Sequence, residues 1–146
     1  MSFDGLYKWA DKNKIPHVMA VGIKPNVKGL NRNEEELKEM KEIYLYGFNI
    51  TDLPSDISCL NHIEKLCIHD NELKTLPKEI GDLSNLKTLI ISSNNFNSLP
   101  DEITKLTTLS ELLYDENAES IFNEKQKKWI KDLEKSGCEI AKRSTL

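Results

Sequence analysis

The chain has 146 residues and a formal net charge of −4, and 30% of its residues are charged. This length predicts a single domain over residues 1–146. The weak negative charge excludes strong attraction to nucleic acids or anionic membranes, and no apolar run is long enough to span a bilayer.

The first segment, residues 1–39, is predicted to close one end of the domain. Phe3, Leu6 and Ala10 are spaced for one face of a helix, and Ser2 is suited to cap it. The Ile15-Pro16 pair then ends this helical pattern, because proline cannot continue a helix.

Residues 18–39 are interpreted as a degenerate opening repeat that follows this helix. Val27, Leu30 and Leu37 stand in the apolar register of the repeats described next. A short helix is also predicted near Glu34 to Glu42.

Residues 40–117 repeat with a period of 23 residues. A leucine-proline pair recurs at this interval, and the apolar residues around each pair keep the same register. The pairs are Leu53-Pro54, Leu76-Pro77 and Leu99-Pro100. A fixed period of this length predicts a stacked solenoid rather than a domain built around one central core.

Each repeat changes its apolar spacing halfway through. Leu66 and Ile68 are two residues apart, as on a strand with one inward face. Leu73, Leu76 and Ile80 are three or four apart, as on a helical or 3₁₀ return path, with Pro77 at the first helical position. One strand and one helical turn per coil predict an α/β fold with a parallel sheet.

The last segment, residues 118–146, is predicted to cap the other end. Asn123 is suited to cap a helix that runs to about Lys135, and Gly137 is suited to end it. The apolar face of this helix and a short extended tail are predicted from Trp129, Ile130, Leu133, Cys138 and Ile140.

The repeat consensus is LxxLxLxxNxLxxLPxxIxxL, and it is clearest in the segment LCIHDNELKTLPKEIGDLSNLKTLII. This pattern resembles the leucine-rich repeat family, in the 23-residue form of intracellular Ras-suppressor-like proteins. The resemblance implies a short parallel β-sheet on a concave face, a helical or 3₁₀ convex side and a helical cap at each end. It also implies an asparagine ladder at Asn71, Asn94 and Asn117, where the chain bends after each strand and needs partners for its backbone.

Two columns of side chains on the concave face form the candidate binding site. Residues between the inward leucines point to this face. One column is apolar throughout, and exposed apolar patches often mark interaction sites. The alternative is ordinary cross-strand packing between β-favouring residues. The predicted partner-binding residues are Tyr44, Tyr46, Cys67, His69, Ile90, Ser92, Leu113 and Asp115.

The predicted function is a protein–protein interaction module that binds a partner protein or peptide through the concave face. The sheet covers roughly 300 Å², well below the ~800 Å² per side of a standard interface, which favours a peptide, a loop or a weak contact. The alternative is a self-associating structural protein that pairs through the same apolar column, so a monomer or a weak homodimer is expected.

Catalysis is not predicted, and no residue is assigned to a catalytic, cofactor or metal site. His69, Ser92 and Asp115 share a column, but a hydrolytic triad needs histidine between serine and acid. Cys67 and His69 suggest a thiol nucleophile without any visible oxyanion donor. The histidines lack metal-ligand spacing.

A cytoplasmic location is predicted from the cysteines and from the start of the sequence. The three cysteines are an odd number and widely separated, which is typical of a reducing compartment. The first residues lack the basic and apolar regions of a secretory signal peptide.

Overall fold

The computed structural model describes residues 2–18 and 28–144. Five short strands form one parallel sheet in the order β1-β2-β3-β4-β5. This sheet confirms the predicted α/β solenoid. The strands are β1 (Glu42–Tyr44), β2 (Lys65–Cys67), β3 (Thr88–Ile90), β4 (Glu111–Asp115) and β5 (Glu139–Arg143).

The register of the sheet follows the 23-residue period from β1 to β4. Ile43, Leu66, Leu89 and Leu112 are successive Cα partners across the four strands. All four side chains are buried in one hydrophobic cluster. The repeated leucines therefore share a continuous interior, and each buried aliphatic side chain contributes roughly 1.5–3 kcal/mol.

The return path on the convex side is a 3₁₀ segment in each of the first three coils. These segments span Ser55–Leu60, Lys78–Asp82 and Asp101–Lys105. Pro77 lies immediately before the second segment rather than at its first helical position, and its carbonyl accepts a hydrogen bond from the Ile80 N–H at 3.0 Å. The 3₁₀ segment therefore begins one residue later than predicted.

The bend after each strand depends on asparagine in two coils. The Asn71 side chain accepts the N–H groups of Phe48 and Ile50 and donates to the carbonyl of Leu45. Asn94 repeats the arrangement one coil later. Asn117 does not, because the chain enters a 3₁₀ segment at Glu116–Ile121. The predicted ladder is thus correct at two positions and wrong at the third.

In its described residues, the N-terminal end contains two helices, α1 (Asp4–Lys12) and α2 (Glu34–Glu39). The helix α2 ends before the predicted Glu42, because that residue begins β1. In the predicted opening repeat, Gly29 forms an isolated antiparallel bridge with Tyr44 instead of adding a parallel strand. Val27 lies outside the described residues. The division of the chain at residues 39 and 117 stays a prediction.

The C-terminal end matches the predicted helix and extended tail. The helix α3 spans Glu124–Lys135, and Asn123 caps it in a reciprocal arrangement with Gln126. Gly137 follows with a φ of +97°, a conformation that favours glycine. The tail forms β5 and pairs in parallel with β4. Within residues 2–18 and 28–144, no helix combines the length and apolar character needed to cross a membrane.

Candidate interaction surface on the concave face

The strands align the predicted apolar column across the sheet. Tyr44, Cys67, Ile90 and Leu113 are successive Cα partners, and β5 adds Ala141 beside Leu113. Sequence reasoning missed Ala141, since β5 lies outside the 23-residue period. The alternation of apolar residues near Ile140 was the signal that could have found it.

Only half of the eight predicted contact residues are accessible. Tyr44, Cys67, Ser92 and Asp115 are buried, with exposed fractions of 7%, 2%, 4% and 6%. Tyr46, His69, Ile90 and Leu113 are half-buried. The prediction that all eight form one exposed surface was therefore wrong for the buried four, while the binding role of the others stays a prediction.

Tyr44 is buried because its neighbours enclose it. Its hydroxyl donates to the Glu42 carboxylate at 2.5 Å, and the Lys65 ammonium lies 5.4 Å from its ring centroid. Its ring also packs nearly perpendicular to that of Tyr46, with centroids 6.5 Å apart. Burial, followed by the hydrogen bond to Glu42, raises the pKa of Tyr44. The Tyr44 side chain is therefore part of the packing beneath the concave surface and is not accessible to a partner.

An aromatic cluster over β1 and β2 remains half-exposed. The Tyr46 ring stacks on His69 with centroids 4.6 Å apart and an interplanar angle of 12°. The Lys28 ammonium lies 4.8 Å from the ring centroids of both Tyr46 and Phe48. Burial lowers the pKa of His69, which favours the neutral form of the ring that stacks on the tyrosine.

Asp115 serves the bend after β4 rather than the concave surface. Its carboxylate accepts the N–H of Ser93 at 2.9 Å and the Nε of Arg143 at 2.7 Å. It therefore satisfies backbone donors of the preceding coil, as Asn71 and Asn94 do elsewhere. Arg143 stands 28 residues further along the chain, so no local pattern could reveal the pair.

The groups considered for catalysis are held in other roles. Burial raises the pKa of the Cys67 thiol to about 11, so the thiol stays protonated at neutral pH. Asp115 is engaged with Arg143 and is not free to orient a histidine. In the described part of the chain, no group of three histidine, cysteine or acidic residues could hold a metal ion.

Accessible aromatic and aliphatic side chains over the five strands form an oblique strip across the sheet, which we call the diagonal band. It begins with aromatic rings over β1 and β2 and continues as aliphatic side chains over β3, β4 and β5. Lys28 and Lys65 lie beside its aromatic end. The diagonal band consists of Tyr46, His69, Ile90, Leu113 and Ala141.

Comparisons with known proteins agree with this architecture. The sequence model of a family described as leucine-rich repeat region matches residues 26–135. Among solved structures, a leucine-rich repeat protein of Leptospira interrogans is similar, with 34% identity and a TM-score of 0.59, over 79% of this chain. This chain spans 28% of the length of that protein. No protein of curated function matches the sequence.

Proposed function

Because the chain belongs to the leucine-rich repeat family, we propose that it is a protein-binding module that holds a peptide or loop of a partner protein on the diagonal band. Proteins of this family are generally binding modules rather than enzymes. The single observation that carries the proposal is that a half-buried aromatic or aliphatic side chain lies over each of the five strands. Exposed apolar surface grouped on one face is typical of interaction sites.

The dimensions of the sheet favour a short extended segment. Five strands spaced by ~4.8 Å extend about 19 Å from first to last, which about six residues of extended chain would cover. A contact of this size supports a weak or transient complex. A tighter complex would also need contacts with loops at the sheet edges.

The chemistry of the diagonal band favours a partner segment with two different ends. The stacked rings of Tyr46 and His69 suit an aromatic or planar side chain, and Ile90 and Leu113 suit aliphatic ones. Lys28 and Lys65 keep N–H donors that can reach an acidic residue. The expected segment is apolar, with an acidic end over β1 and β2.

A displayed peptide library selected on the immobilised protein tests this proposal. Peptides that bind the wild-type chain should bind the double variant Ile90→Asp, Leu113→Asp at least about tenfold more weakly, because two apolar anchors are lost. The matched control is Ser84→Asp, Ser98→Asp, which adds the same charge at exposed positions outside the diagonal band. Circular dichroism should show that both variants are folded.

Equal binding of the selected peptides to all three proteins would refute the diagonal band as the site. A further variant tests the expected polarity. Lys65→Glu should weaken peptides with an acidic end and should leave neutral peptides unchanged. Unchanged binding of the peptides with an acidic end would contradict this polarity and leave only an apolar contact.

Self-association through the apolar column is the second candidate. It would bury Ile90 and Leu113 of one copy against the same residues of another, so the charged double variant would abolish a dimer of the wild-type chain. Sedimentation of the wild-type chain and of the double variant distinguishes this self-association from the binding of a partner segment.

The proposal includes a cytoplasmic location and no catalytic residue. All three cysteines are buried and unpaired, which supports a reducing compartment. The net charge of −4 supports a protein partner rather than a nucleic acid or a membrane surface.

A further inference from the structure

We propose that the free edge of β5 pairs with β5 of a second copy of this chain, in antiparallel orientation about Ala141. In the described residues, β5 is the last strand of the sheet and has β4 as its one neighbour. Three of its five residues, Glu139, Lys142 and Arg143, are exposed. An exposed strand edge carries unpaired backbone donors and acceptors that another strand can use.

The backbone of β5 determines which residues could form such bonds. The N–H of Glu139 donates to the Ser110 carbonyl at 2.8 Å, toward β4. Backbone groups alternate from one side of a strand to the other. Those of Ile140 and Lys142 therefore face the open edge, and they must lie in the hydrogen-bonded pairs of any added strand.

An antiparallel register centred on Ala141 meets this requirement. It places Ile140 opposite Lys142 of the second copy, and both residues then exchange two backbone hydrogen bonds. The two-fold symmetry repeats the pair, which gives four bonds in total. Ala141 lies opposite Ala141 of the second copy at a non-hydrogen-bonded position. Side chains approach most closely at such a position, so a small residue fits there.

The same register makes the charges complementary. Glu139 lies opposite Arg143 of the second copy, and symmetry produces this opposite-charge pair twice. Arg143 donates through Nε to Asp115, while its guanidinium has further N–H donors, and its side chain is 48% exposed. The two strands would then be linked along their whole length.

Neighbouring registers are less favourable. A register centred on Lys142 would place this lysine directly opposite Lys142 of the second copy, and like charges directly opposite are destabilising. A register centred on Ile140 would leave Arg143 outside the paired region. Charged residues on an edge strand usually prevent pairing, but here the opposite signs at the two ends of β5 favour one partner, which is β5 itself.

Charge exchange tests the pairing by sedimentation equilibrium over a range of concentrations. The wild-type chain should form a weak dimer, because the contact is smaller than a standard interface. Glu139→Lys alone and Arg143→Glu alone should each weaken the dimer by about tenfold or more, since each sets like charges opposite one another twice. An equimolar mixture of the two variants should restore dimers, because the opposite charges are recovered in the mixed pair.

A backbone variant tests the same contact without changing this charge pair. Lys142→Pro removes an N–H that faces the open edge and keeps the bonds between β4 and β5, so it should abolish the dimer and leave a folded monomer. Lys142→Ala is the matched control, since it also loses the ion pair with Glu119, and it should still form dimers.

The proposal is overturned if the wild-type chain stays monomeric at every concentration, or if Lys142→Pro and Lys142→Ala form dimers equally. A dimer abolished by Ile90→Asp, Leu113→Asp but unaffected by the β5 variants would also overturn it and would assign self-association to the diagonal band. Peptide binding to the diagonal band should be unchanged by Lys142→Pro, so each proposal can fail without the other.

Discussion

The two ends of the solenoid are closed by similar helices but are attached to the repeats in different ways. At each end a buried tryptophan donates its indole N–H to a carbonyl of the adjoining coil: Trp9 to Asp52 at 3.0 Å, and Trp129 to Leu106 at 2.9 Å. At the C-terminal end the chain then continues as β5, which pairs with β4 over five residues. Among the described residues of the N-terminal end, one antiparallel bridge, between Gly29 and Tyr44, meets the sheet.

At the N-terminal end an arginine joins parts of the end segment to one another. The guanidinium of Arg32 donates to the carbonyls of Leu30 and Ile15, each at 2.7 Å, and to the Asp11 carboxylate. The C-terminal end instead adds Gln126, whose buried amide donates to the Leu99 carbonyl at 2.8 Å. An open solenoid end can therefore be covered either by a segment that its own polar network holds together or by extending the sheet.

The largest expected effect comes from removing each tryptophan. Trp129→Ala should lower the free energy of unfolding by about 3–5 kcal/mol, and Trp9→Ala should lower it by less. A mutation in an end segment cannot cost more than the free energy with which that segment docks on the repeats. Beyond that point the segment opens locally while the repeats stay folded. Urea unfolding measures the cost, and hydrogen exchange should show α1 opening before β5. An equal or larger cost for Trp9→Ala would contradict the weaker docking of the N-terminal end.

The arginines at the two ends should follow the opposite order. Arg32→Gln should cost about 2 kcal/mol, because the carbonyls of Leu30 and Ile15 lose charge-assisted bonds. Arg143→Gln should cost about half as much, since Asp115 keeps the N–H of Ser93. Thermal unfolding of the two variants compares them directly. If Arg143→Gln were the more damaging, β5 would depend on its ion pair more than on its backbone bonds.

Helix caps provide a smaller test. Asn123→Ala removes the reciprocal cap of α3 and should cost about 1 kcal/mol. Ser2→Ala should change stability by no more than about 0.5 kcal/mol, because the N-cap of α1 is Phe3 and not the predicted Ser2, whose exposed hydroxyl accepts the Asp4 N–H at 3.1 Å. Denaturant midpoints, compared at equal dependence on denaturant concentration, give the change in unfolding free energy of both variants. Equal losses would mean that the two ends do not differ in how much capping stabilises their helices.

The smallest effect is a dependence on pH at the C-terminal end. The hydrogen bond from Lys142 holds the pKa of Glu119 below its ordinary value. The ion pair therefore stabilises the fold above that ordinary value, and its contribution is lost as the pH falls through the lowered pKa. Since both side chains are 44% exposed, Glu119→Gln should cost less than about 1 kcal/mol at neutral pH and nothing in acid.

A double-mutant cycle provides the control for this pH dependence. In a Lys142→Ala background, Glu119→Gln should have the same effect at neutral and acidic pH. Persistence of the dependence in that background would assign it to the Tyr114 hydroxyl, which donates to the same carboxylate at 3.0 Å.

Much of the fold was predictable because its determinants are local. The spacing of Leu66 and Ile68 predicted a strand, and Asn123 and Gly137 correctly placed the ends of α3. The candidate site was less predictable. Tyr44 was assigned to the surface by alternation, but Lys65 and Glu42 enclose it, and that contact depends on how neighbouring coils stack.

The spacing of apolar residues along the chain was enough to specify the solenoid, its parallel sheet and the helices at its ends, because a 23-residue apolar period can be buried only by stacking similar coils. Tertiary structure alone decided which concave side chains stay accessible. It buried Asp115 against Arg143, paired Gly29 in antiparallel orientation with β1 and added β5 to the sheet. These contacts join residues that are distant in the chain, and a local pattern of apolar and polar residues contains no information about which distant groups satisfy one another.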